Sequence, residues 1–484
     1  MVYFCCMRYP VYIIAVLLLF TLPASAQKKW NLAQCIEYAM ANNITVKQTD
    51  LQTKLADLTY KQSKLGQYPN ASFSAGPSYN SGRNQDPTSF SLITQSYLSA
   101  NMQLQSSAEI FNWYSKRNTI AAYQWDVEAA KAGTDKLKND IALTVANSYL
   151  QILLSTEQAK IAGVQLQQSQ AQLSNTRKLV DAGSLPELNA SELEAQVARD
   201  SATLISAGGA VVQNILNLKA YMAIDAAEPF EVDTPPVDMI PVEKIGDLQP
   251  DAVYALAIAN MPQQRVNDFK LKAVKKISEA ARGNMYPTIS AFGSLSSNFI
   301  NSKSPVYELT GTYSSNALSP QVVIGGTAYK VTSPDYIVNG KKGTPFFTQL
   351  NNNFRQSIGL SINVPIFSGG SLRTAYEKSK VNIKNQELQV QLDDQKLKQD
   401  IYQAYNAAKV ALEKFNASKK SMQTAERSFS FSQKRYDVGL LSTFELITNQ
   451  NNLFRAKLEY ALDQFDYVFK MKVLEFYKGQ GLKL

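Results

Sequence analysis

The chain is written twice, and no other feature limits its fold so strongly. From Leu32 to Gly76 a gapless offset of 218 residues (257 − 39) matches Ala39, Ala41, Asn42, Asp50, Lys54, Tyr68, Pro69 and Ser72 to Ala257, Ala259, Asn260, Asp268, Lys272, Tyr286, Pro287 and Ser290. From about Leu98 the offset is 256 (360 − 104). Leu104, Ile110, Phe111 and Arg117 match Leu360, Ile366, Phe367 and Arg373; farther on, Lys178, Asp181 and Gly183 match Lys434, Asp437 and Gly439, and Leu218 and Tyr221 match Leu474 and Tyr477. The offsets differ by 38 (256 − 218), which places one large insertion in the second copy, at about 299–351. "KLKNDI" (Lys136 to Ile141) returns as "KLKQDI" (Lys396 to Ile401) at an offset of 260 (396 − 136), a slip of about one helical turn. Whatever supersecondary plan one copy adopts, the other repeats. The first copy is 27–228 and the second 248–484; 229–247, "PFEVDTPPVDMIPVEKIGD", is rich in Pro, has no period and is expected to be a linker.

Each copy opens with a helical pattern (Asn31 to Gly66 in the first) and continues with two strands. A long helical pattern (Asn112 to Ala182), a Gly break and a shorter helical pattern (Pro186 to Met222) follow. At 1.5 Å per residue the long one spans roughly 100 Å, too long to fold around a compact core and suited to a coiled coil or a helical tube. Its apolar stripe, Leu137, Ile141, Val145, Tyr149 and Ile152, is narrow, as in coiled-coil packing.

The strands are expected near 68–79, 97–111, 286–298 and 353–367. In them the period changes to two. Ala71, Phe73 and Ala75 alternate with Asn70, Ser72 and Ser74, and Leu98, Ala100, Met102 and Leu104 with Ser99, Asn101, Gln103 and Gln105. The second copy keeps the parity, with Ile358, Leu360, Ile362 and Val364 set against Ser357, Ser361 and Asn363. One apolar face and one small polar face over about ten residues suit a membrane-spanning barrel strand; a soluble sheet packed on one face gives the same alternation.

Other features favour the membrane. Residues 1–26 read as a secretory signal: Arg8, the apolar "VYIIAVLLLF" and an Ala24-Ser25-Ala26 cleavage site. Cys5 and Cys6 leave with it, so Cys35 has no intramolecular disulfide partner. Beyond residue 26 no run of about 18 apolar residues occurs, so only strands are available to cross a bilayer. Single-chain barrels begin at about eight strands, and an open four-stranded sheet leaves edge groups unpaired in lipid, so several chains must share one barrel.

The sequence contains no His, which removes the commonest general base and most zinc sites. No carboxylate pair, phosphate loop or metal spacing stands in a plausible context, so neither an enzyme nor a cofactor is expected. Without Arg8 the net charge is +8 (49 − 1 − 40). Scattered Lys and Arg on an exported chain mark solvated helix faces rather than a nucleic-acid surface.

The signal, the duplicated helix-strand-strand-helix-helix plan, Tyr-Pro entering a strand, "PIFSGG" (Pro365 to Gly370) leaving one and the "YDVG" turn together resemble the TolC-type outer-membrane efflux proteins. The resemblance implies a homotrimer whose twelve shared strands form one outer-membrane β-barrel, continuous with a periplasmic α-helical barrel. It further implies a passive exit duct for efflux or type I secretion, working with a periplasmic adaptor and an inner-membrane pump of RND or ABC type. A non-pore coiled-coil scaffold or adhesin in the periplasm or at the surface is the alternative; it leaves the four alternating strands unexplained.

On this plan Gly183, Ser184 and Leu185, and Gly439, Leu440, Leu441 and Ser442, form two turns at the periplasmic tip, either as simple helix caps or as adaptor-docking loops. Both glycines are expected in the left-handed conformation. Ser442 with Glu445 is expected to form a capping box, and Ser184 with Glu187 the equivalent, with Pro186 in the first turn. The family's gate implies roles for Tyr436, Glu445, Thr448 and Asn189: Glu445 keeps an acidic constriction position and Thr448 does not, Tyr436 keeps a linking tyrosine, and Leu441 and Asn189 stand where an Arg and an Asp are usual. The insertion is expected to be extracellular, with hairpin turns at Gly325-Gly326 and Asn339-Gly340, as a surface loop or a partial cap on the outer mouth.

Overall fold

The computed structural model describes residues 29–85, 90–234, 236–237, 240–316 and 318–479; the expected signal, 1–26, lies outside the described residues. The first copy comprises α1 (Leu32–Asn42), α2 (Ile44–Leu65), β1 (Asn70–Gln85), β2 (Leu92–Phe111), α3 (Ser115–Asp181) and α4 (Glu187–Met222). The second opens with α5 (Pro250–Asn260), α6 (Pro262–Gly283) and β3 (Thr288–Ile300). The insertion follows as β4 (Lys303–Ser314), β5 (Gln321–Ile324), β6 (Thr327–Lys330), β7 (Ser333–Gly343) and α7 (Phe346–Asn352), and the copy closes with β8 (Arg355–Asn363), α8 (Ser371–Asp437) and α9 (Thr443–Phe476). No helix among the described residues is long and apolar enough to cross a membrane.

The opening helix of each copy is divided, where the sequence suggests one continuous segment. Met261 has an extended ψ of 130°, because Pro262, at the first position of α6, excludes the helical conformation from its predecessor. Asn43, at the equivalent position of the first copy, breaks the helix without proline. Its Oδ1 accepts from the Thr45 N–H at 2.8 Å and its Nδ2 donates to the Tyr221 carbonyl at 2.8 Å.

One compact unit comprises Met1–Leu58, Gln124–Val274 and Asn382–Leu484. It holds two small cores made from equivalent positions: Cys35, Ala39, Val145, Ile152 and Leu218 in one, and Val253, Ala257, Ile401, Ala408 and Leu474 in the other. Within the long helices burial follows the offset of 256, so Ile401 is the counterpart of Val145, not of Ile141. The four-residue slip suggested by "KLKQDI" is therefore a likeness of sequence without a change of packing; four residues bring a helix nearly back to the same face.

The joining segment is fastened at both ends. Trp30 and Val232 form a parallel bridge, and the Trp30 ring stacks on Phe230 at 5.6 Å. Buried Lys219 donates to the carbonyls of Ala226 (2.7 Å) and Glu228 (2.6 Å). Its equivalent in the second copy is Glu475, which accepts from the Glu243 N–H at 2.8 Å and pairs with buried Lys472 at 2.8 Å. Each charge is satisfied, as burial demands.

The other unit comprises Thr59–Tyr123 and Lys275–Val381. Its main sheet is antiparallel in the order β1-β2-β3-β8. The registers set Phe73 beside Leu104 and Leu295 on one face, and Ser72 beside Gln105, Ser294 and Ser357 on the other. Hydroxyls join along the polar face, Ser78 to Ser99 at 2.7 Å and Ser294 to Ser357 at 2.9 Å. β1 continues beyond residue 79 to Gln85, with Asn80 to Gln85 paired in unbroken register with Tyr97 to Leu92 at the start of β2.

Between β2 and α3, Trp113 and Tyr114 have φ of 51° and 61°; Gly369 and Gly370 take the same turn in the second copy with φ of 60° and 76°. The left-handed form costs about 1–2 kcal/mol for such residues. Their rings offset that cost in a cluster where Trp113 lies 5.4 Å from Phe111 and 5.0 Å from Tyr286, and Tyr114 lies 5.9 Å from Phe111.

The insertion forms two ribbons, β4 with β7 and β5 with β6. Gly325 and Gly326, with φ of 58° and 85°, make the β5–β6 turn. Asn339 and Gly340 do not form a turn. They lie within β7 as a bulge opposite Val306, between the Pro305–Lys341 and Tyr307–Val338 pairs, and the positive φ of Gly340, 94°, absorbs the extra residue. α7 returns beside the end of β3, where Gln349 replaces a strand: its Oε1 accepts from the Ile300 N–H and its Nε2 donates to the Ile300 carbonyl, both at 3.0 Å.

Candidate functional site

The two Gly breaks are the same motif. Ser184 N–H donates to the Leu179 carbonyl at 2.8 Å and Gly183 N–H to Val180 at 2.9 Å; Leu440 N–H donates to Arg435 at 2.8 Å and Gly439 N–H to Tyr436 at 2.9 Å. With φ of 68° at Gly183 and 73° at Gly439, both are Schellman closures requiring a left-handed residue. Gly183, Ser184, Gly439, Leu440 and Ser442 are exposed, while Leu185 and its equivalent Leu441 are half-buried. Just beyond each turn a large apolar side chain faces solvent, Leu188 in α4 and the equivalent Phe444 in α9.

The restarts differ. Ser442 caps α9 with a full capping box: its Oγ accepts from the Glu445 N–H at 3.2 Å, and Glu445 Oε2 accepts from the Ser442 N–H at 3.2 Å and its hydroxyl at 3.0 Å. These bonds, with Arg435 nearby, hold the Glu445 carboxyl below its ordinary pKa. The equivalent box expected from Ser184 and Glu187 does not form. Pro186 is itself the N-cap, with φ −65° and ψ 150° and no side-chain bond, because proline fixes the entry conformation by its ring. Glu187 turns to Arg177 instead, at 2.5 Å, and the same guanidinium reaches Glu194 at 3.1 Å. These carboxylates raise the Arg177 pKa further.

Tyr436 is half-buried, with Oη 3.0 Å from Thr176 Oγ1 and 3.3 Å from Thr443 Oγ1. It therefore joins the hairpin of one copy to that of the other. Thr448 folds its hydroxyl onto the Phe444 carbonyl at 2.8 Å. The backbone N–H of Asn189 donates to Pro186 at 3.1 Å. Tyr436 and Glu445 are thus engaged close to the second turn, while Asn189 belongs to the first.

Behind the turns lies a buried polar layer that sequence reasoning misses. Asp200 accepts from the Ser169 hydroxyl and from Gln196 Nε2, the latter at 2.8 Å. Gln450 donates to Ser169 at 3.0 Å, and Gln196 bonds Asn451 at 3.1 Å. Ser169, Gln196, Asp200 and Gln450 are all buried, so this layer fixes how α3, α4 and α9 meet. The i, i+4 spacing of Gln196 and Asp200 was the available signal. Among the described residues no group of His, Cys, Asp or Glu is arranged to hold a metal ion.

The sequence model of a family described as "Outer membrane efflux protein" matches residues 35–223 and 253–470. The chain is 21% identical to the outer membrane efflux protein BepC of Brucella suis over 397 residues, 81% of this chain and 73% of the relative. It is 21% identical to the probable efflux pump outer membrane protein TtgC of Pseudomonas putida over 382 residues, 74% of this chain and 67% of the relative. Among solved structures it superposes on CusC with a TM-score of 0.75 at 15% identity, covering 93% of this chain and 92% of that one. The Campylobacter jejuni CmeC outer membrane channel gives 0.72 at 15% identity, over 94% of this chain and 87% of the other. Their fold is shared by this chain, with long helices and a sheet that forms part of a barrel.

Proposed function

Because the chain belongs to the outer membrane efflux protein family and is an efflux exit duct of the outer membrane reaching into the periplasm, we propose that it works as a homotrimer supplied by a periplasmic adaptor and an inner-membrane pump of RND or ABC type. The observation that carries the trimer is the sheet order: β1 and β8 are terminal strands of an open four-stranded sheet. In lipid their free edge groups require partners, and another copy supplies them. Four strands from each of three copies close a barrel of twelve, with the serine and glutamine face turned to a wet lumen and the apolar face turned to lipid.

The two Schellman turns, with exposed Leu440, Leu188 and Phe444 beside them, are the adaptor-docking surface. Tyr436 and Glu445 belong to the gate, and three copies of Glu445 set its cation preference. Leu441 and Asn189 stand where the family's linking Arg and Asp are usual, so the Tyr436 hydroxyl contacts and the buried polar layer hold the closed state in their place, and Thr448 leaves the constriction charge to Glu445.

Reconstitution into planar bilayers tests the assembly. A detergent-resistant trimer with discrete single-channel conductance is expected; a monomer without conductance overturns the trimeric assembly.

A further inference from the structure

We propose that one face of the β4–β7 ribbon is a docking surface for phosphorylated lipid of the outer leaflet, an inference that rests on the channel reading above. The ribbon begins at Lys303, just past Ile300 at the end of β3, so its base lies at the level where a barrel strand leaves the bilayer. Cross-strand partners share a face, as do alternate residues of a strand. With Tyr307 opposite Val338, Leu309 opposite Tyr336, and Pro305 opposite Lys341, one face carries Lys303, Lys341, Tyr307, Val338, Leu309 and Tyr336.

This face is uncovered: Tyr307 is 63% exposed, Leu309 61%, and Tyr336 and Val338 56%. The rings of Tyr307 and Tyr336 meet edge to face at 6.5 Å. Both lysines are exposed, and no acidic side chain pairs with either among the described residues. The acids of the ribbon are engaged elsewhere. Glu308 lies on the opposite face and accepts from Asn339, while Asp335 accepts from the hydroxyls of Thr312 and Ser314 at the far end.

Charge decides the occupant. A second copy of the face would bring lysines against lysines, whereas the phosphates of outer-leaflet lipid meet them with opposite charge. Cations stand at the base, at headgroup level, and the aromatic surface extends beyond them along whatever the headgroup carries. Uncharged tyrosine rings with polar tips suit such a boundary between apolar and wet surroundings.

The test uses the full chain in mild detergent with lipopolysaccharide as the probe, comparing the natural protein with a Lys303→Gln/Lys341→Gln variant and a Tyr307→Ser/Tyr336→Ser variant. Loss of two surface cations is expected to weaken binding about thirtyfold at low salt, with a shallower salt dependence. The tyrosine pair is expected to weaken it with the salt dependence kept. Conductance is recorded on the same samples. A natural protein that conducts but binds the probe no better than the variants overturns the lipid surface alone. If conductance changes in the variants while lipid affinity does not, the ribbon is a cap between copies and the proposal fails. A natural protein that does not conduct removes the channel premise instead.

Discussion

The Tyr436 hydroxyl lies 3.0 Å from that of Thr176, and this contact ties the second hairpin of the chain to the first. Tyr436→Phe keeps the ring and removes this bond together with the one to Thr443, each worth about 1 kcal/mol. The variant is expected to open more readily, seen as a higher single-channel conductance from trimers of ordinary heat resistance. Unchanged conductance would place Tyr436 outside the gate.

Glu445 couples the start of α9 to acidity. Its folded-state pKa lies below the ordinary value of 4.5, first through the Ser442 backbone bond and then through its hydroxyl. The ionised form therefore stabilises the cap fully above the ordinary value, and that contribution fades as pH falls through the lower folded value. Reversal potentials in a salt gradient are expected to show the cation preference shrinking over that acidic window. Glu445→Gln is expected to show the reduced preference already at neutral pH; a selectivity equal to the natural protein's would remove Glu445 from the constriction. Ser442→Ala is expected to cost about 1 kcal/mol by loss of the N-cap.

Two glycines in helices should respond oppositely to alanine. A Cβ on Gly283 would stand 2.9 Å from the Trp113 carbonyl oxygen and 3.0 Å from Ser115 Cβ, whereas one on Gly133 meets nothing within 4 Å. Gly283→Ala is expected to destabilise by about 1–3 kcal/mol and Gly133→Ala to stabilise by up to about 1 kcal/mol. Thermal unfolding in detergent measures both, and equal midpoints would refute the close packing at Gly283.

Cys35 is fully buried, and burial pushes its thiol up to about 12. Since the thiolate is the reactive form, maleimide labelling at neutral pH is expected to be negligible in the folded protein and complete in denaturant. Rapid labelling of the native protein would show that the core around α1 opens.

The sequence revealed most where the period was strict. The odd-even parity of Ala71 to Ala75 and Ile358 to Val364 specified the sheet faces, since a slip of one residue exchanges them. Gly183 and Gly439 were legible because a Schellman closure needs a residue free to take positive φ. Asn339-Gly340 misled because that pair favours a hairpin turn and a bulge alike, and only the strand register separates them. Asn43 was hidden because an asparagine within a helical pattern breaks it only when a tertiary partner, here the Tyr221 carbonyl, holds its side chain. Ser184 resembled a cap until Pro186 took that place, and the layer of Ser169, Gln196, Asp200 and Gln450 was lost among the many polar residues of long helices.

Lys219 and Glu475 hold equivalent positions with opposite charge, one gripping carbonyls where the joining segment begins and the other an amide near its end. A peptide presents different groups to a cation and to an anion, so this pair gives the joint a polarity. Two first halves in tandem would set an ammonium against the Glu243 N–H, and two second halves would set a carboxylate against the carbonyls of Ala226 and Glu228. The duplication has thus become irreversible: the halves still share a plan, but they no longer commute.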